Sequence, residues 1–271
     1  MKAARFDYAR PEGLDESVAL LAGEGARAYA GGQSLGPMLN LRLARPTALV
    51  DVSRLRDLRA VDERPDGVLY GAAITHAQFE DGAVADATGG VLASVARGIA
   101  YRAVRNRGTI GGSLAHADPA ADWPTTLSAL GARVHLVGPS GRREMGIEDF
   151  IRGAFETALA PGEIIAGVFV PRLSVSARWG YRKSCRKLGE FAEAMCAVLA
   201  DPGRGVCRLA IGATEGKPIV LTTAEAFVAD PVRIDPYLAQ AGLAADAATL
   251  ALHRTVIREA IAAMDAWRPS A

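Results

Sequence analysis

ARAYAGGQSLGPMLNLRLARPTALVDVS, residues 26–53, is the stretch on which the fold turns. ARAYAGG is a short apolar run that enters a pair of glycines, and TALVDVS (47–53) is a second run with strand character. Between them SLGPMLNLRLA has helical spacing, with Ser34 as its expected N-cap. Two parallel strands need a crossover, and a helix is the usual one. The first ~50 residues therefore predict a small βαβ unit with a parallel sheet. LDESVALLAG (14–23) supplies a further helix, with Leu14, Val18 and Leu21 on one side.

The pair Gly31–Gly32 has two readings. It is an ordinary strand-to-helix turn, or it is a loop whose backbone N–H groups cradle an anion. A second stretch, RNRGTIGGSLAHADPAADWP (105–124), repeats the pattern. There Gly111–Gly112 is followed by Ser113, as Gly31–Gly32 is followed by Ser34, each at an expected helix start. The repetition favours two loops facing each other across one diphosphate, with the glycines keeping its space clear. A nominal GxGxxA at Gly23, Gly25 and Ala28 follows a helix and opens a strand. That is the reverse of the dinucleotide fingerprint, so it reads as a helix C-terminus.

Beyond the first unit, GVLYGAAIT (67–75), ARVHLVG (132–138) and EIIAGVFVP (163–171) read as strands. THAQFED, GGVLASVARGIA (89–100) and DWPTTLSALG read as helices, and PSGRRE as a turn. From about residue 175 the texture changes to longer strands joined at DPGRG, followed by helices at TTAEAFV, DPYLAQAGL and TLALHRTVIREAIAAM. Strands followed by helices predict a small α+β terminal domain. The expected division is 1–175, in two parts of about 1–55 and 56–175, and 176–271.

The 271 residues carry a net charge of +1 with no concentrated basic face, which argues against nucleic acid as a partner. No apolar run approaches the ~18 residues of a membrane span, and the N-terminus lacks a signal-peptide pattern. Cys185, Cys196 and Cys207 match no zinc spacing and are too few to ligate an iron–sulfur cluster unaided. Unpaired thiols fit a reducing compartment, and the expected location is the cytoplasm. His116 and Asp118, in HAD, could suggest a metal pair but have no third ligand nearby, so no metal site is expected. Asp122 reads as a helix N-cap or as an acceptor for a ribose hydroxyl. RKSCRK (182–187) reads as a solvated strand face, or as the source of a lysine beside a flavin or phosphate.

AGGQSLGPMLNLRLARPTALVDVS and RNRGTIGGSLAHADPAADWP closely resemble the two signature segments of the FAD-binding medium subunits of molybdenum hydroxylases. These are the carbon monoxide dehydrogenase and xanthine dehydrogenase-like enzymes. FDYARPEGLDESVALLAG, PGEIIAGVFVP, YRKSCRKLGEFAEAMCAVLA and ALHRTVIREAI extend the likeness nearly end to end.

The resemblance implies an α+β fold, with a two-part FAD domain of the PCMH type and a small C-terminal domain. It places Tyr29, Ala30, Gly31, Gly32, Gln33, Ser34, Leu35 and Gly36 around the FAD diphosphate, the amides of Gly32, Gln33 and Ser34 donating. Thr109, Ile110, Gly111, Gly112 and Ser113 would be the second cradle, and Asp122 would hold the ribose. Ile99 and Ile165 would pack on the ring system or the adenine, and Lys183 would approach the flavin end.

The sequence departs from the family pattern in three places. WPTT stands where LP is common, which puts Trp123 near the cofactor loop. Tyr101–Arg102 and LGEF lie near the expected flavin ring. No residue of this chain is expected to be catalytic. The function implied is electron transfer within an oxidoreductase. Electrons would come from [2Fe–2S] clusters on a small partner, after oxidation of substrate at a molybdenum cofactor on a large one. They would leave to an external acceptor, in a dimer of heterotrimers. The alternatives are a flavin-free scaffold of the same fold and a self-contained flavin reductase.

Overall fold

The computed structural model describes residues 2–267. The first sheet comprises β1 (Asp7–Ala9), β2 (Ala26–Tyr29) and β3 (Ala48–Asp51), in the order β1-β3-β2 with both pairings parallel. β1, too short for alternation to show, adds a third strand to the two expected. The crossover helix spans only Leu35–Asn40, because the chain turns out at Arg42, whose φ is 57°. Ser34 occupies the N-cap position, yet its side chain makes no capping bond, contrary to expectation.

The second sheet is antiparallel throughout, ordered β4-β5-β10-β6-β7. Its strands are β4 (Val61–Arg64), β5 (Gly67–Gly71), β6 (Arg133–Gly138), β7 (Gly141–Gly146) and β10 (Ile164–Pro171), with a small hairpin, β8 (Ile151–Gly153) and β9 (Glu156–Thr157), beside it. Here the sequence reading needs correction. PSGRRE is a turn only at its tip. From Gly141 onward the charged residues form an edge strand, whose open side allows a polar composition. β5 ends at Gly71 because the following residues pair with the second glycine loop. The Gly111 amide donates to the Ala72 carbonyl (2.9 Å) and the Ile110 amide to the Ile74 carbonyl (3.0 Å).

The third sheet runs β11 (Arg178–Ser184), β12 (Ala194–Asp201), β13 (Val206–Gly212) and β14 (Ile219–Leu221), each antiparallel to its neighbour. DPGRG makes the expected connection from β12 to β13. RKSCRK does not lie on one strand, since β11 ends at Ser184. The helix Ala247–Ala263 packs on β11 and β12. Gly180 permits this close approach, because a Cβ there would run into the Ala260 carbonyl.

β12 is apolar along almost its whole length because both its faces are covered. Cys196 and Val198 join the core under the C-terminal helix, while Ala197 and Leu199 join the main core of the chain. The main core reaches β12 and β13 through the helix Asp122–Leu130, all of whose residues are buried. Leu127, fully buried in this helix, is expected on truncation to alanine to cost ~2–5 kcal/mol, read by urea unfolding of the full chain.

Candidate functional site

A cavity of about 1200 Å³ opens between the two glycine loops. That exceeds the ~300–1,000 Å³ of ordinary small-molecule sites. Residues 30–35 form one wall, and Gly108, Thr109 and residues 111–113 the facing one. Residues 21–28, 159–165 and 189–191 complete the enclosure.

Bare glycines let each loop pack against its neighbours. A Cβ on Gly31 would run into the Arg107 carbonyl, and one on Gly111 into Ala72. Gly32 takes φ 69°, and a Cβ there would strike the Tyr29 ring. The expectation that these glycines keep a ligand's space clear is therefore incomplete. Their first role is to let protein approach protein, and a valine at any of the three would disturb packing before it met a ligand.

The loops offer different donors. In the first, the amides of Gly32, Gln33 and Ser34 donate to no protein group among the described residues. In the second, every amide from Ile110 to Ser113 is already used. Those of Ile110 and Gly111 go to Ile74 and Ala72, that of Gly112 to the Thr109 hydroxyl (3.0 Å) and that of Ser113 to the Thr109 carbonyl. Thr109 is thus the N-cap, and Ser113 lies inside the helix Ile110–His116 rather than at its start.

Of the residues singled out in the sequence, Ala30 to Leu35, Ile99, Thr109, Gly111, Gly112, Ser113, Asp122 and Ile165 line the cavity. Tyr29 instead packs behind Gly32. Gly36 lies in the short crossover helix, its amide bonded to the Gly32 carbonyl. Ile110 points into the core.

Lys183 is not on a solvated face. Its side chain is only 7 % exposed, and its Nζ lies 2.9 Å from Asp122 Oδ1 and 3.0 Å from the Gly98 carbonyl. The Tyr181 hydroxyl donates to the same Asp122 oxygen at 2.6 Å. Asp122 is the first residue of its helix, with Ala121 as N-cap, so its carboxylate joins β11 to that helix rather than capping it. Burial pushes the Asp122 carboxyl above its ordinary range, opposed by the Lys183 charge and by the bonds from Tyr181 and Lys183.

His76 also lines the cavity and was not foreseen. It is the first residue of the helix His76–Glu80, fixed by a capping box between Thr75 and Gln78. The T-x-x-Q spacing was the available signal. Burial, with Arg105 nearby, lowers its pKa to about 4.

Residues 4–173 match the family described as the FAD binding domain in molybdopterin dehydrogenase. The chain belongs to this family. It is 38 % identical over 220 residues to the carbon monoxide dehydrogenase medium chain of Hydrogenophaga pseudoflava, covering 80 % of this chain and 77 % of that one. The nicotine 6-hydroxylase medium subunit of Paenarthrobacter nicotinovorans is 36 % identical, with the same coverage of both chains. In a solved structure of Hydrogenophaga pseudoflava carbon monoxide dehydrogenase, one chain superposes with a TM-score of 0.85 at 32 % identity, covering 98 % of this chain and 99 % of that one. The chain is thus an FAD-binding medium subunit of the molybdenum hydroxylase type, part of an oxidoreductase. Among the described residues no group of three or more His, Cys, Asp or Glu could hold a metal ion, and no helix is long and apolar enough to cross a membrane.

Two outcomes follow from the buried charges. Lys183→Met leaves Asp122 buried without its counter-charge and is expected to cost ~3–5 kcal/mol in chemical denaturation. Adding Asp122→Asn should recover most of that loss. His76, with a folded-state pKa of about 4 against an ordinary 6.5, leaves the unfolded chain binding the extra proton between those values. Stability of the cofactor-free chain should therefore rise with pH across that window, by about 3 kcal/mol from this group. Melting His76→Gln at several pH values should show the slope flattened.

Proposed function

We propose that this chain carries FAD as the electron relay of a three-component hydroxylase. It would receive electrons from [2Fe–2S] clusters of a small partner and deliver them to an external acceptor. Substrate would be oxidised at a molybdenum cofactor on a large partner, in a cytoplasmic dimer of heterotrimers. The reading rests above all on three open amides, Gly32, Gln33 and Ser34, facing a cavity large enough for a dinucleotide. The names of similar subunits, which include the medium chains of carbon monoxide dehydrogenase and nicotine 6-hydroxylase, support it.

In this reading residues 1–55 and 56–175 are the two parts of the FAD domain, and 176–271 the C-terminal domain. Ala30 to Leu35 receive the diphosphate with their free amides, and Thr109 to Ser113 close on it from the other side, with the Ser113 hydroxyl as a donor. Tyr29, Gly36 and Ile110 support these loops from behind. Asp122 keeps acceptor capacity for a ribose hydroxyl beyond its bonds to Tyr181 and Lys183. Ile99 and Ile165 offer apolar surface to the ring systems, and Lys183 acts through Asp122. When bound, FAD supplies a carrier that takes up and releases electrons. The chain's own work is to hold that carrier, shield it from water and tune it. Phe191 lines the cavity and is exposed, as are Gly23, Glu24 and Pro161.

Anaerobic mixing tests the proposal. The full chain loaded with FAD is expected to be bleached by dithionite but not by carbon monoxide, aldehydes or aromatic heterocycles. After assembly with its partner subunits, the cognate substrate should bleach the flavin band. Bleaching of the isolated chain by an organic substrate would mean that it holds its own active site.

A further inference from the structure

From Ile110 to Ser113 the second glycine loop spends its amides on the protein, so beyond the Thr109 amide the donors on that side of the cavity come from side chains. Ser113 is one. His76 is the other that the geometry brings there. Its backbone N–H donates to the Gly108 carbonyl at 2.9 Å, and Thr75 bridges to Thr109, which fixes the residue against the foot of the loop. A Cβ built on Gly108 would lie 2.8 Å from both Cδ2 and Nε2 of His76, so that edge of the ring rests against Gly108. Gly31 of the first loop presses on Gly108 as well. The imidazole edge therefore sits where the two loops cross.

The protonation of that edge is set from behind. Trp123 Nε1 lies 3.0 Å from His76 Nδ1 in a fully buried contact. An indole N–H can only donate, so Nδ1 must accept, and a neutral imidazole then carries its proton on Nε2. Trp123 has no freedom to withdraw. It is entirely buried, and its ring packs on Phe79 at 5.3 Å between centroids, which in turn packs on Tyr70 at 5.0 Å.

We infer that Trp123 is a positioning residue that holds His76 in the Nε2–H tautomer, so that the imidazole presents a neutral N–H donor to the cofactor diphosphate on the side where the amides of Ile110 to Ser113 are already used. The inference rests on assigning the two glycine loops to the diphosphate of FAD. The low pKa of His76 agrees with it, since the ring stays neutral at pH 7 and its tautomer is then meaningful.

The test uses the full ¹⁵N-labelled chain, with His76→Gln assigning the resonance. Long-range ¹H–¹⁵N correlation of the histidine rings is expected to show His76 as a single neutral Nε2–H tautomer. Adding FAD should shift its Hε2 resonance downfield. Trp123→Phe keeps a ring in place but removes the donor. This variant should show mixed tautomers, altered ³¹P shifts of bound FAD and a dissociation constant for FAD raised about tenfold, as expected for a hydrogen bond to a charged group. A merely structural role for Trp123 would lower the melting temperature and leave the tautomer and the ³¹P shifts unchanged, and that result overturns the inference. If Trp123→Phe does not fold, the wild-type titration decides: FAD that binds without moving Hε2 overturns the inference alone. Failure of the wild-type chain to bind FAD at all overturns the cofactor assignment and the inference with it.

Discussion

A carboxylate removed from water must be matched by positive charge and hydrogen bonds or it will not stay ionised. Asp122 is such a group, and the molecule is arranged around its requirement. It stands at the first turn of a helix with no exposed residue, and the groups that answer it, Tyr181 and Lys183, project from the next sheet. Satisfying this carboxylate fixes β11 against the FAD-binding part of the chain. It also draws the Gly98 carbonyl into the same cluster, so the wall carrying Ile99 is fixed with it.

The same helix bears Trp123, whose two neighbours link it to opposite ends of the structure. Phe79 and Tyr70 connect it to the second sheet, and His76 connects it to the cavity. Polar matching and aromatic packing therefore start from adjacent residues. A change at either position reaches both the core and the site, and the glycine loops, pressed on Arg107 and Ala72, have little room to absorb it.

The parallel βαβ part of the first sheet, most of the longer strands and helices and both glycine loops were legible in the sequence because each is a local pattern. Alternation and helical spacing need only a few neighbouring residues, and Gly-Gly before a small hydroxyl residue is a short motif. What was not legible depends on distant partners. RKSCRK looks solvated because nothing in those six residues says that Lys183 will meet Asp122, 61 positions earlier. β7 was read as part of a turn because an edge strand tolerates the charges that usually mark loops. The use of the second loop's amides by Ala72 and Ile74 required the pairing itself. His76 could have been found from Thr75 and Gln78, but only as the start of a helix. Its position beside Gly108 is a tertiary fact.

Walls of the cavity come from residues 21–28 near the beginning of the chain and from residues 189–191 beyond β11. During synthesis, the two glycine loops leave the ribosome well before Tyr181 and Lys183 do. Until then Asp122 has neither of its partners and the cavity lacks its last wall. In the proposed reading the cofactor would be enclosed only once about seven-tenths of the polypeptide has emerged, which would set flavin loading at the end of folding rather than at its nucleation.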